Sequence, residues 1–149
     1  MPLVDIEQLK SQFLSEEFDS KDFVIDPQKA ITAARVSGAQ LPEYIDIDHP
    51  KLQASHAYLA SLASGRRLPI DFPKIGGMGI DGGKAVTSHA PVPLGQPLTG
   101  RTHLHDIYDK TGRSGRMIFL VARMEIYDAQ QVLLATTDSR MVIREKPTK

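Results

Sequence analysis

Apolar residues in the first part of the chain recur at three- and four-residue intervals. Leu3, Ile6, Leu9, Phe13 and Leu14 fall on one stripe, which predicts a short amphipathic helix. A second helix is predicted from Asp26 as N-cap and Pro27 at the first helical position, through Ala30, Ile31 and Ala34, to a stop at Gly38. A third follows Asp48-His49-Pro50 and runs through Leu52, His56, Leu59, Leu62 and Ala63 to Gly65. Its alanines would let it lie close against a sheet. On this pattern 1–25 is an N-terminal helical extension and 26–65 a helical segment.

From Gly76 onward the vocabulary changes to turn residues and β-formers. Strands are expected near 84–90, 98–109, 116–127 and 131–144, separated by Pro91-Val92-Pro93-Leu94-Gly95, by Lys110-Thr111-Gly112-Arg113-Ser114-Gly115 and by Asp128-Ala129-Gln130. The last two gaps are short enough for antiparallel hairpins. Met117 to Ala122 is the longest aliphatic run and suits a central, buried strand, with the 49–64 helix packed across the sheet. Helices followed by antiparallel strands over 76–145 predict an α+β domain.

Composition narrows the function classes. At 149 residues the chain is one domain in size, and 41% hydrophobic with 24% charged residues is ordinary globular usage, so disorder and fibres are excluded. Lys+Arg 18 against Asp+Glu 18 cancels, which removes the long-range field of a nucleic-acid or anionic-membrane binder. With no cysteine there is no thiolate nucleophile and no Cys-ligated zinc. Asp5 and Glu7 stand where a signal peptide needs a basic start and an apolar run, and nothing later approaches a membrane span, so the expected location is the cytoplasm.

Four clusters could carry chemistry. Gly77-Met78-Gly79-Ile80-Asp81-Gly82 matches Gly-x-Gly-x-x-Gly, but a dinucleotide fingerprint must open a helix, and β-formers follow here, so the run reads as a flexible lead-in to a strand. His103 and His105 share one face of an expected strand, with Asp106 or Asp109 nearby and His89 as a distant third ligand. Two ligands do not make a metal site, and no metal is expected. Lys110, Arg113 and Arg116 crowd a glycine-rich hairpin end, which reads either as a solvated turn or as a seat for a phosphate such as that of coenzyme A. Asp46-Ile47-Asp48-His49-Pro50 is the one place where carboxylates and an imidazole crowd together. The pairing suits acid/base work, but Asp48 as a helix cap with Asp46 facing solvent explains the local pattern more simply. No Gly-x-Ser-x-Gly, His-Glu-x-x-His or Walker pattern occurs.

The second half resembles the MaoC-like, or FAS1-like, dehydratase domains. The resemblance rests on Pro91-Val92-Pro93-Leu94-Gly95-Gln96-Pro97-Leu98-Thr99, on Asp106-Ile107-Tyr108-Asp109-Lys110 with Gly112-Arg113-Ser114-Gly115, on Met117-Ile118-Phe119-Leu120-Val121, and on Leu134-Ala135-Thr136 before Met141-Val142-Ile143-Arg144. It covers about 84–144 and implies a hot-dog fold over 1–149, an antiparallel sheet wrapped around a central helix with an extra N-terminal helix. It also implies a subunit of the (R)-specific enoyl-CoA hydratase group acting on acyl-CoA or another acyl thioester, with no cofactor.

Active members of that group carry Gly-Asp-x-Asn-Pro-x-His at the end of an early helix, the Asp and His handling water and proton. The matching stretch here is Gly38-Ala39-Gln40-Leu41-Pro42-Glu43-Tyr44, with Ala39 in place of the Asp and Tyr44 in place of the His. A methyl group cannot move a proton, and a phenol with an ordinary pKa of about 10 is a poor base at neutral pH. The resemblance therefore implies a non-catalytic, acyl-CoA-shaping half that pairs with a second hot-dog chain, as a homodimer or as a heterodimer with a catalytic MaoC-like subunit. Lys110, Arg113 and Arg116 would be its substrate-binding residues. Two rivals stand beside it: a self-sufficient hot-dog thioesterase or hydratase using Asp46, Asp48 or His49, and a binding or scaffold protein without acyl-CoA chemistry.

Overall fold

A computed structural model describes residues 4–145. Helix α1 (Ile6–Phe13) opens the chain, capped by the Asp5 side chain, which accepts from the Gln8 N–H. Leu3, which the periodicity adds to this helix, lies outside the described residues. Strand β1 (Glu17–Val24) follows, then α2 (Pro27–Val36), α3 (Pro42–Ile45) and α4 (His56–Ser61), and four long strands complete the chain: β2 (Gly77–Ser88), β3 (Pro97–Gly112), β4 (Gly115–Tyr127) and β5 (Leu133–Glu145). The strands form one sheet in the order β1-β3-β4-β5-β2, with every neighbouring pair antiparallel. This is the α+β hot-dog architecture, and the aliphatic run 117–122 lies in β4, the middle strand.

Alternation along the strands decides which face is covered. On β4 the side chains of Ile118, Leu120, Met124 and Ile126 are buried, and they meet two apolar clusters on the helical side of the sheet. One cluster gathers Ala30 of α2 and Leu59 of α4 with Leu98, Met124 and Ile126; the other gathers Ile6 and Leu9 of α1 with Leu104, Ile107, Ile118 and Leu120. A bulge between Leu104 and Asp106 inserts His105 and shifts the alternation of β3, so Leu98, Thr102 and Leu104 are buried before it and Ile107 after it.

α2 forms as its sequence predicts: the Asp26 carboxylate accepts from the Gln28 N–H, Pro27 starts the helix, and Gly38 at φ +89° follows its end. Three expectations need correction. The segment 1–25 is not a helical extension throughout, because β1 pairs with β3 along its whole length. Its four charges among two phenylalanines hide it from a propensity reading, but charge suits an edge strand. The 49–64 helix shrinks to six residues, because Ala54 N–H donates to Val92 O (2.9 Å) and Gln53 bridges Pro93, which holds the preceding segment extended. Asp48 therefore caps nothing: the cap of α4 is Ser55, whose hydroxyl accepts from the Tyr58 N–H.

The two hairpins close by different means. Gly112 pairs with Gly115 across Arg113-Ser114, with Gly115 at φ +101°. At the β4–β5 turn the Asp128 carboxylate accepts from the N–H groups of both Gln130 and Val132.

Candidate functional site

The chain leaves α2 through Gly38 and passes along α3, which places Ala39 ahead of that helix and Tyr44 within it and brings neither against a carboxylate or imidazole by hydrogen bond. The Ala39 N–H donates to Ala34 O at 2.9 Å, a helix-terminating bond that leaves its methyl half-buried. Asp46 lines a surface groove of about 400 Å³ with Ile31, Arg35, Pro42, Ile45 and Ile47, an otherwise apolar lining apart from Arg35 and two glutamines.

In the 46–50 cluster the side chains serve their own backbone. Asp46 Oδ1 accepts from the Asp48 N–H (3.0 Å), and His49 Nδ1 accepts from the Lys51 N–H (3.0 Å). Asp46 is thus a turn former and not merely solvent-facing. No hydrogen bond joins Asp48 to His49 among the described residues, so the pairing that nucleophile activation or general-base work requires is not assembled.

The basic hairpin separates into unlike parts. Arg116 donates through Nε to Asp109 (2.8 Å) and through Nη1 to Val4 O (2.8 Å) and Glu145 (3.4 Å), and the Asp109 bond holds its guanidinium above the ordinary pKa, against the opposing effect of burial. It is a tie between the hairpin and the ends of the chain. Lys110 lies over the Phe119 ring at 5.7 Å, and Arg113 is exposed at the turn. Both are exposed, as is Arg144, whose Nε donates to Ser114 O at the turn (3.1 Å).

His103 and His105 do approach, their rings 6.0 Å apart and edge to face. No group of three or more His, Asp or Glu side chains is placed to hold a metal among the described residues. Instead His103 Nδ1 sits 3.5 Å from Glu125, whose other oxygen accepts from the Tyr127 hydroxyl at 3.1 Å. Beside them Arg123 makes a two-pronged ion pair with Asp138 at 2.7 and 2.9 Å. Burial holds His103 below the ordinary imidazole pKa, opposed by the Glu125 charge; burial and then the Glu125 hydrogen bond push the Tyr127 phenol up. All of these lie on the face of the sheet turned away from the helices. The cross-strand register creates the group, since His103 faces Arg123 and Arg123 faces Asp138.

The Gly77–Gly82 run is already strand and leads into more strand, with a bulge between Asp81 and Lys84, so it presents no helix N-terminus to a phosphate. Gly79 of this run instead borders a cavity of about 340 Å³ on the helical face, between β2, β4 and β5 and the 63–68 loop. That cavity left no mark in the sequence, because its walls come from three segments far apart in the chain.

The model of the FAS1-like dehydratase domain region matches residues 32–137. The chain belongs to that family. No curated protein matches it. Among solved structures, this FAS1-like domain is similar to the HadBC (3R-hydroxyacyl-ACP dehydratase) complex from Mycobacterium tuberculosis, with a TM-score of 0.62 at 14% identity over 90% of this chain and 99% of that one. The ChsH1–ChsH2 complex from the same organism gives 0.60 at 16% over 96% and 91%, and a MaoC-like dehydratase from Rhodospirillum rubrum 0.57 at 15% over 94% and 98%. At such identities the likeness establishes the hot-dog fold, while the family match rests on the sequence itself. No helix among the described residues of this FAS1-like domain is long and apolar enough to cross a membrane.

Proposed function

We propose that the chain is the non-catalytic, acyl-thioester-shaping half of a hot-dog dehydratase, paired with a second hot-dog chain. The observation that carries the proposal is the segment after α2. Ala39 and Tyr44 stand where a hydratase needs an acid and a base, and the neighbouring Asp46 and His49 are engaged in turn hydrogen bonds. Water addition to an enoyl thioester requires one group to take a proton from water and another to protonate the α-carbon.

The sheet edges support a docked partner. β1 is charged, and the 63–65 loop ties to it, with Gly65 N–H donating to Asp19 (2.9 Å) and Lys21 donating to Ala63 O. β2 forms the opposite edge, twelve residues long, with Met78 65% exposed, and an uncovered edge of that kind accepts another strand. The HadBC and ChsH1–ChsH2 neighbours are complexes, which favours pairing here as well. Lys110 and Arg113, with Arg144 beside them, are the exposed cations that would meet a coenzyme A phosphate.

The isolated chain should hydrate crotonyl-CoA no faster than buffer. It should sediment as a dimer, alone or with a hot-dog chain that retains Gly-Asp-x-Asn-Pro-x-His, and Met78→Glu should weaken that association. Turnover by the isolated chain that Asp48→Asn or His49→Ala abolishes would replace this reading with the self-sufficient enzyme.

A further inference from the structure

The sheet and the helical layer each leave an apolar patch exposed, and the two patches carry opposite charge. The first lies on the face of the sheet turned away from the helices. Register aligns Ile80, Val142, Phe119 and Tyr108 in one row across β2, β5, β4 and β3, and Met78, Arg144, Met117 and Lys110 in the next. Met78 and Ile80 are exposed, and the Tyr108 and Phe119 rings stack at 4.7 Å. Arg140, opposite Val121, flanks the Ile80 row on its other side. The strip is cationic: among the described residues Lys110, Arg140 and Arg144 make no ion pair, and Asp106, also opposite Val121, is the one carboxylate in these rows. Farther along the same face the charges are matched, Arg123 with Asp138 and Arg101 with Glu17.

The second patch surrounds the groove of about 400 Å³ beside α2 and α3. Ile31, Pro42, Ile45 and Ile47 line that groove, and Val36 and Leu41 next to it are exposed, Val36 at 84%. Asp46 belongs to the lining, Glu43 and Asp48 stand on either side of it in sequence, and no cation occurs from 43 to 48. Among the described residues these three carboxylates make no ion pair. Arg35 is the one cation of the lining, and it donates to Ile45 O (3.4 Å).

We infer that the outer strip of one copy docks on the 31–47 groove of a second copy, with Met78 and Ile80 entering the groove and Arg140 and Arg144 meeting the carboxylates of 43–48. Strip against strip would oppose cation to cation, and groove against groove carboxylate to carboxylate. Only the unlike surfaces are complementary. They belong to opposite sides of the sheet, so a copy that gives its strip keeps its groove free. Such a contact builds a ring or an open chain and does not close in a dimer. Pairing along the β2 edge extends the sheet in its own plane and leaves the outer face uncovered, so either association can fail without the other.

The experiment is sedimentation of the full chain over a range of concentrations. Its mass should rise past that of a dimer, and about 1 M NaCl should reverse the rise, because the Debye length falls there to about 3 Å. Arg140→Glu with Arg144→Glu should weaken the contact about tenfold or more, as should Glu43→Lys with Asp48→Lys. Neither variant should grow alone, but an equal mixture should, since the intact groove of one meets the intact strip of the other. A mass that stays at monomer or dimer, growth indifferent to salt, or a groove variant that still grows would each overturn the inference. The absence of cysteine from the chain allows a second test that leaves every charge in place. Ile80→Cys with Ile47→Cys should oxidise to a ladder of linked copies, and either substitution alone to none beyond a dimer. If a charge variant does not fold, the salt dependence and the ladder decide the matter, and a double-cysteine chain that links nothing beyond a dimer overturns the inference.

Discussion

Two clusters of carboxylate and imidazole occupy this chain, and they are built in opposite ways. In the 46–50 loop the groups are neighbours in sequence, and they spend their hydrogen-bonding capacity on the loop's own N–H groups. On the outer face of the sheet His103, Glu125, Tyr127, Arg123 and Asp138 come from three strands, and they spend theirs on one another. Closeness in sequence favours turns, because a short side chain reaches the backbone two residues on more easily than it reaches its neighbour's side chain. Closeness through register brings side chains side by side, at cross-strand spacing, on a surface that partly excludes water.

The sharpest way to break this contrast is to remove Asp138. Asp138→Ala leaves the half-buried Arg123 without its two-pronged partner, and a hydrogen bond to a charged group is worth about 1.5–3 kcal/mol. The loss should appear in urea unfolding as a lower midpoint with an unchanged slope. A cost no larger than that of a loop substitution would erase the distinction between the clusters.

Next in size is the pH response of His103. An unfolded imidazole titrates at 6.5, and burial holds the folded one below that. Above 6.5 both states are neutral. As the pH falls from 6.5 through the folded value the unfolded chain takes up the proton first, so stability falls over that window. His103→Gln should flatten this part of the curve, read as thermal midpoints at pH 7.5, 6.5 and 5.5. A steeper acid loss in the variant would mean that the Glu125 attraction outweighs burial.

Asp46→Ala should cost about 0.5 kcal/mol, the loss of one solvent-exposed turn bond. Smallest of all, Asp48→Ala should lie within about 0.5 kcal/mol of the parent chain, because its side chain makes no described hydrogen bond. A large effect at Asp48 would point to a role that its geometry does not show.

What was legible from the residues in order was what local physics governs. Asp26-Pro27 starts α2 and Gly38 ends it because capping and backbone freedom act within a few residues. The four long strands and two hairpins followed from β-formers and turn residues for the same reason. Tertiary structure decided the rest. β1 exists because Glu17–Val24 finds β3, which its own charged sequence does not announce. α4 is short because the segment before it is held extended by the Ala54–Val92 hydrogen bond and the Gln53–Pro93 bridge. The His103–Glu125 group and the cavity between β2, β4 and β5 depend on which residues of β2, β3, β4 and β5 stand opposite one another. A pairing register is chosen by the whole buried face at once, and a slip of one residue would turn every side chain of a strand to the other side. No short stretch of sequence therefore encodes it.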